Sequence, residues 1–423
     1  MKSKRRVDLA ANKLTSNNKA NLLTPIFKRF ILKKFKNLNI GFIKLIDEDT
    51  VYYFGNKTSL LKANVQVLSS DFYFILGTRG LLGVAECYAN GLWKSDDLVI
   101  LLRIIMKNAQ LMNQLETIWS KLLKPINYLI HWNRKNSISG SKKNIVAHYD
   151  LSNEFYKLWL DETMTYSCGI FKNNTTTLKD ASIEKLDRIC RKLNLNENDS
   201  VLEIGSGWGS FSIYAAQNYG CNITTTTISD AQYELTKERI YKAGLENQIT
   251  LLKNDYRNLK GKYDKIVSIE MIEAVGHEYI SIYFKKISDL LKQNGVFALQ
   301  GITYNDQNFD TYKNSVDFIK KYIFPGSCLI SISQIINTMK EYTDFSIVHL
   351  EDITKHYVTT LEMWHANFLK EISKVKKLGF SNQFIKLWEF YFVYCQAGFS
   401  ERNIGDYQFI FTKPSLSNIK IKY

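Results

Sequence analysis

The sequence predicts an α/β protein: a parallel, Rossmann-like sheet with helices on its faces, preceded by a smaller N-terminal α+β domain. Three observations carry this. Residues 201–216, VLEIGSGWGSFSIYAA, read as a strand, a tight glycine turn and an amphipathic helix. From residue 145 onward, short apolar runs alternate with helical stretches, which implies right-handed crossovers and ligand sites at the carboxyl ends of the strands. The length of 423 residues exceeds one domain, and an apolar content of 45% with 23% charged residues is that of an ordinary globular chain.

Residues 1–44 hold twelve Lys or Arg against a single acid, Asp8. Within them Leu22, Leu23, Ile26, Phe30 and Ile31 recur at near-helical spacing, with Lys28, Arg29, Lys33 and Lys36 elsewhere on the turn. Such a helix either binds a membrane surface or packs on its own domain with a solvated basic face. From Ile40 to Leu76 the bursts GFIKLI, VYYFG, VQVL and FYFIL, broken by Asp, Gly and Asn, suggest a small β-rich module. A helix then ends near Asn90-Gly91, Asp96-Asp97 caps a second, and residues 111–132 continue helically. The polar run NRKNSISGSKKN marks a linker, so the expected parts are 1–132, 133–144 and 145–423.

In the third part, strands are expected near 200–204, 222–227, 249–253, 264–269 and 295–302, with helices near 208–218, 230–243 and 276–292. A helical insertion around 308–323, longer helices near 355–374 and 382–397, and a closing strand at 407–413 complete the pattern.

The formal net charge of +15 calls for an anionic partner. The lysines are widely spread and no nucleic-acid reading module is present, so nucleic acid is disfavoured against an anionic membrane. No run of eighteen apolar residues occurs, and the basic N-terminus lacks the apolar core of a secretory signal, so a cytoplasmic protein is expected. Six scattered cysteines, without a CxxC pair, argue against disulfides and against a metal site.

The glycine turn narrows the ligand. A phosphate-cradling loop requires GxxxxGK[ST], and the dinucleotide fingerprint requires G-x-G-x-x-G. Here Gly205, Gly207 and Gly209 are spaced G-x-G-x-G and led by Glu203, which can accept hydrogen bonds from a ligand. This arrangement resembles the loop of S-adenosylmethionine-dependent methyltransferases.

Further motifs extend the likeness: HYDLSNEFY, TYSCGIF, LEIGSGWG, TISDAQ, VSIEMIEAVGHEY, VDFIKKYIFPG, HYVTTLEMW and YCQAGFSERNIG, in order over about residues 145–414. Together they resemble the cyclopropane-fatty-acyl-phospholipid synthase family, and AECYANGLWKSDDL looks like that family's N-terminal domain. The resemblance implies a methyltransferase sheet with a helical substrate lid, acting on unsaturated acyl chains of membrane phospholipid. It implies that Tyr166, Ser167, Gly205, Gly207, Thr227, Gln232 and Tyr256 hold S-adenosylmethionine, with Tyr256 against the adenine. It also implies a bound bicarbonate ion as base, held by Cys168, Glu273, Tyr357, Gln300 and the backbone of Ile302, and it makes a homodimer possible.

Alkene methylation leaves a carbocation, and a base must remove a proton before a ring closes; aromatic faces can stabilise the cation. Gln300 stands where the bacterial synthases carry a histidine. It donates a hydrogen bond but carries neither charge nor a proton, so a methyl- or methylene-branched product stays open beside the ring. A small amine as acceptor is a further alternative. Cys395 matches a cysteine credited to the family's active site, although on an apolar helix face it equally reads as a core filler. His148, His277 and His356 read as structural.

Overall fold

The computed structural model describes residues 22–108, 151–414 and 421. The expected helical stretch 111–132, the linker 133–144 and His148 lie outside the described residues. Two compact units emerge: Met1–Asn133 with Ser315–Pro325 and Gly379–Ala397, and the remainder of the chain.

The first unit contains a four-stranded sheet in the order β2-β1-β3-β4, from β1 (Phe42–Asp47), β2 (Thr50–Gly55), β3 (Lys62–Val67) and β4 (Trp93–Ser95). Its helices are α1 (Thr24–Phe35), α2 (Asp71–Arg79), α3 (Leu81–Ala89) and α4 (Leu98–Lys107), the last capped by Asp97, which accepts from the Ile100 N–H at 2.8 Å. The FYFIL burst is helical, not extended. Phe72, Ile75, Leu76 and Arg79 follow a 3–4 spacing, and Gly80 at φ +59° stops the helix. Helix α1 buries Phe27 and Ile31, while Leu22 and Ile26 stay exposed. Lys28 pairs with Asp47 at 2.6 Å, and Asp47 also accepts from the Tyr73 hydroxyl at 2.7 Å. Segments 315–325 and 379–397 join this unit through Glu86, which accepts from Lys321 and Tyr322, and through Tyr88, whose ring meets Phe390.

The second unit is built on a seven-stranded sheet. Its strands are β5 (Ser200–Ile204), β6 (Asn222–Thr226), β7 (Ile249–Leu252), β8 (Tyr263–Ile269), β9 (Leu291–Tyr304), β10 (Ser346–Asp352) and β11 (Ile404–Thr412). The order is β10-β11-β9-β8-β5-β6-β7. Strands β5 to β9 run parallel; β11 is antiparallel to β9, and β10 to β11. Its helices include α5 (Leu178–Leu193), α6 (Ser210–Tyr219), α7 (Asp230–Ala243), α8 (Ile280–Leu290), α9 (Ile332–Tyr342) and α10 (Thr354–Lys370). A further helix, α11 (Asn382–Ser400), has its last residues in this unit. Apolar layers lie on the sheet's two faces. One centres on Phe284, Phe297 and Phe411, the other on Val201, Phe211 and Ile410. Strands β6 and β7 extend the sheet on one side of β5, and β8 and β9 on the other, so the carboxyl end of β5 is the switch point at which such sheets bind ligands.

Candidate active site

The turn after β5 leaves its glycines no alternative. Gly205, Gly207 and Gly209 have φ of +95°, +50° and +86°, a region that side chains other than glycine enter at a cost. A Cβ at Gly205 would come within 2.9 Å of Met271 Cγ, and one at Gly209 within 2.9 Å of Thr236 Cγ2. A Cβ at Gly207 would meet nothing within 4 Å, so Gly207 faces open space. That space is a cleft at the carboxyl ends of β5, β6 and β8, walled among others by Tyr166, Ser167, Gly207, Gln232, Tyr256 and Glu270.

The side chains expected around the cofactor gather here. Thr227 donates to Gln232 Oε1 at 2.9 Å, which fixes the amide at the start of α7. Tyr256 meets Tyr283 edge to face at 5.5 Å; burial pushes its hydroxyl up to about 12, so it stays a neutral platform suited to stacking. Ser167 accepts from Lys185 Nζ at 2.9 Å. Glu203 also reaches the cleft wall, but its Oε2 accepts from Thr225 Oγ1 at 2.6 Å and thereby ties β5 to β6. Burial pushes the Glu203 carboxyl up to about 8, so at neutral pH it braces the loop largely as a neutral acid.

A chain of packed, mostly buried aromatic rings continues from Trp208 and Tyr166, which line the cleft. Tyr156 lies 4.9 Å from Trp208 and 5.6 Å from Tyr166; Tyr166 lies 5.4 Å from Trp364; Trp364 meets Tyr357 at 6.0 Å. Tyr357 is stacked on Phe399 at 4.3 Å.

At the end of these rings sits a buried acid cluster. Glu270 accepts from the Cys168 N–H at 2.8 Å, from Gln300 Nε2 at 2.8 Å and from the Tyr357 hydroxyl at 2.5 Å. Gln300 Nε2 also donates to Asp406 Oδ2 at 3.1 Å. The orientation of the Gln300 amide is set from behind: its Oε1 accepts from Gln408 Nε2 at 3.0 Å, and Gln408 Oε1 accepts from the buried Lys192 at 2.7 Å. Glu273 Oε1 accepts from the Ile302 N–H at 2.5 Å, while its Oε2 has no partner among the described residues. Burial, then the neighbouring Glu270 charge, pushes Glu273 up to about 8. Asp406 rises well above the carboxylate range, by burial and then the charges of Glu270 and Glu273. Lys185, buried beside them, is lowered by burial and supported chiefly by the charge of Glu270. Burial raises Glu270 itself above its ordinary range, opposed by the Tyr357 hydroxyl, the Cys168 N–H, the Lys185 charge and the Gln300 amide.

This geometry tests the expected bicarbonate site. The Cys168 backbone, Gln300 and Tyr357 converge on Glu270, and the Ile302 N–H is taken by Glu273. The Cys168 thiol faces the Gly169 carbonyl at 3.2 Å and is raised well above its ordinary range by burial. The donors that would hold an added anion already hold a carboxylate of the chain itself, so bicarbonate does not fit. Cys395 lies in segment 379–397 of the other unit and is not among the cleft residues; burial and then Asp317 raise its thiol, which excludes a thiolate at neutral pH. His356 accepts from the Phe171 N–H at 3.3 Å and is lowered to about 4 by burial, a neutral structural histidine. Glu270, Asp406 and Lys185 were not singled out by the sequence, although Glu270 stands three residues before Glu273 within VSIEMIEAVGHEY.

The turn lacks the lysine of a phosphate loop, and its cleft mixes aromatic rings (Tyr166, Trp208, Tyr256) with polar groups such as Gln232, Asp255 and Glu270. A parallel sheet with β11 inserted antiparallel beside β9 completes the pattern, and the class is that of S-adenosylmethionine-dependent methyltransferases. More narrowly, the chain belongs to the mycolic acid cyclopropane synthetase family, whose model matches residues 136–409. It is 34% identical over 340 residues to tuberculostearic acid methyltransferase UfaA1 of Mycobacterium tuberculosis, covering 79% of each chain. It is 32% identical over 364 residues to the cyclopropane-fatty-acyl-phospholipid synthase of Escherichia coli, covering 85% of this chain and 90% of that one. Among solved structures, mycolic acid cyclopropane synthase CmaA1 complexed with SAH and CTAB superimposes with a TM-score of 0.60 at 28% identity, over 64% of this chain and 98% of that one. The protein is thus a methyltransferase of the cyclopropane-fatty-acyl synthase type.

Proposed function

We propose that the protein transfers the methyl group of S-adenosylmethionine to the double bond of unsaturated fatty-acyl chains in membrane phospholipid, closing a cyclopropane ring. The observation that carries this is the cleft after β5, on which Tyr166, Trp208 and Tyr256 place aromatic rings and Glu270 an acid. An alkene needs no deprotonation before it attacks, but the cation it becomes needs π faces around it and a base beside it. A small amine attacks through its lone pair and forms no carbocation, so it gives the aromatic rings no such role. When bound, S-adenosylmethionine supplies an electrophilic methyl on a sulfonium; the residues orient it, with Tyr256 as platform and Gly207 allowing close approach. Bicarbonate is not part of the proposal, because the groups expected to hold it are engaged.

An acyl chain lies inside a bilayer, so the enzyme has to dock on one. Leu22, just before α1, and Ile26 on it are exposed, as are Arg29 and Lys33, a surface that suits anionic phospholipid. No helix among the described residues is long and apolar enough to cross a membrane, which fits peripheral docking. A cytoplasmic, membrane-associated enzyme, forming a homodimer, belongs to the same proposal.

The second reading keeps cofactor and lipid and changes the product to a methyl- or methylene-branched chain. It is favoured by Gln300, which cannot relay a proton, and by the name of the Mycobacterium tuberculosis relative. Incubating the full chain with methyl-labelled cofactor and unsaturated phospholipid vesicles, followed by mass spectrometry of the acyl chains, tests both. Label in a saturated ring supports the first reading, and label in a branched chain the second. Intact cofactor binding without lipid labelling overturns both.

A further inference from the structure

We propose that the Glu270 carboxylate is the base of the reaction, built into the chain at the place where an external anion would otherwise sit. The inference rests on methyl transfer to an alkene, as proposed above. Three features of Glu270 point to it. Its two oxygens gather an anion-binding set: a backbone N–H, a primary amide and a phenol, at 2.5–2.8 Å. It lines the same cleft as Gly205, Gly207 and Tyr166. And it is held at φ +46°, with its N–H donating to the Gln300 carbonyl at 2.9 Å. A left-handed backbone at a residue other than glycine is strained, and such strain is retained where surroundings over-determine it, often at functional sites.

The other candidates do less well. Glu273 is turned to the Ile302 N–H and is not among the cleft residues. Asp406 is fully buried behind Gln300. Cys168 is a buried thiol directed at carbonyl oxygens. Glu270 is the carboxylate with three donors on its oxygens and a position on the cleft.

The step balances as follows. The alkene π pair forms a bond to the methyl carbon as the carbon–sulfur bond breaks, and its electrons leave on sulfur as a thioether. A Glu270 oxygen takes one proton from the added methyl group, and the released C–H pair closes the ring onto the cationic carbon. Glu270 becomes a neutral acid and returns its proton to water before the next cycle. A carbocation's neighbouring protons are acidic enough that a hydrogen-bonded carboxylate suffices. If the pair is instead released after a hydride shift, the same Glu270 yields the methylene-branched product, so the proposal does not depend on which product forms.

The test uses the full chain, carbon-dioxide-free and bicarbonate-supplemented buffers, and the variants Glu270→Gly and Glu270→Gln. Wild-type turnover is expected to be unchanged by bicarbonate. Glu270→Gly relieves the left-handed strain and opens a hole lined by the three donors and Lys185. It should fold, bind cofactor, lose roughly 100-fold or more of its activity without bicarbonate, and recover about tenfold or more when bicarbonate is added. Glu270→Gln fills the hole and should stay inactive in both buffers. A readout apart from activity is carbon-13 NMR of labelled bicarbonate: saturable binding to Glu270→Gly and none to wild type. Saturable binding to wild type, bicarbonate-dependent wild-type turnover, or a fully active Glu270→Gln would overturn the proposal. A wild type that binds cofactor but labels no lipid would instead refute the functional reading beneath it.

Discussion

Gly207→Ala separates what the glycine loop does for folding from what it does for binding. Gly207 sits at φ +50°, the mildest of the three positive values, and a Cβ there has no neighbour within 4 Å. The folded chain should therefore lose only the left-handed backbone cost, about 1–2 kcal/mol. The added methyl, however, projects into the cleft where the cofactor lies. A ligand displaced by even part of a methyl's width gives up contacts worth about 1.4 kcal/mol or more, which is tenfold in affinity. Gly205→Ala provides the contrast. There φ is +95° and Met271 Cγ stands at 2.9 Å, so overpacking adds about 1–3 kcal/mol to the backbone cost and the fold itself should suffer. Titration calorimetry with S-adenosylhomocysteine and urea unfolding measure the two effects separately. Gly207→Ala should lose no more than about 1–2 kcal/mol in unfolding, with affinity down tenfold or more. Native affinity in Gly207→Ala would refute the placement of the cofactor against this turn.

Three further outcomes are expected. Glu203 and Glu273 are both raised to about 8, so between the ordinary carboxylate value and pH 8 the folded chain binds more protons than the unfolded one, and stability falls as pH rises through that window. The loss is at most about 1.4 kcal/mol per pH unit for each group, and Glu203→Gln or Glu273→Gln should flatten the urea midpoint against pH. Gln408→Met removes the group that fixes the Gln300 amide; kcat should fall several-fold while cofactor affinity stays native, since neither residue is expected to touch the cofactor. Leu22→Asp with Ile26→Asp should cut sedimentation with anionic vesicles by tenfold or more, because each exposed apolar side chain contributes about 1.5–3 kcal/mol when buried, while the activity-independent unfolding midpoint stays put.

The parallel sheet was legible because each of its strands is a short apolar run bounded by Gly, Asn or Asp, and the run at 201–204 ends in three alternating glycines. Strand β10 was not, because its residues alternate between exposed and half-buried at a sheet edge and carry His349, Glu351 and Asp352. Helix α5 went unassigned although Thr177, accepting from the Asp180 N–H, and left-handed Asn194 bracket it plainly. FYFIL looked extended because five consecutive apolar residues hide a 3–4 spacing that only the buried face reveals. On α1 the buried pair is Phe27 and Ile31, and the flanking Leu22 and Ile26 turn outward.

At the site, Tyr166, Ser167, Gly205, Gly207, Thr227, Gln232 and Tyr256 line one cleft while Glu273 and Cys395 do not, and the hydrogen-bond partners were not legible at all. Sequence places Gln300, Cys168 and Tyr357 on separate elements 168–357 and cannot show that all three donate to one carboxylate. Glu270 was passed over because Glu273 answered to the motif first, and Asp406 because it sits inside a closing strand where an acid reads as an edge residue. Burial, which makes both chemically unusual, is a property of the assembled sheet.

The central claim is methyl transfer to an acyl double bond, and lipid analysis tests it most directly. Acyl chains recovered from vesicles after incubation with the protein and methyl-labelled S-adenosylmethionine should each gain one labelled CH2 unit at the former double bond. Cofactor that binds and turns over while the acyl chains keep their original mass, with the label instead on an amine or released to water, would contradict the account.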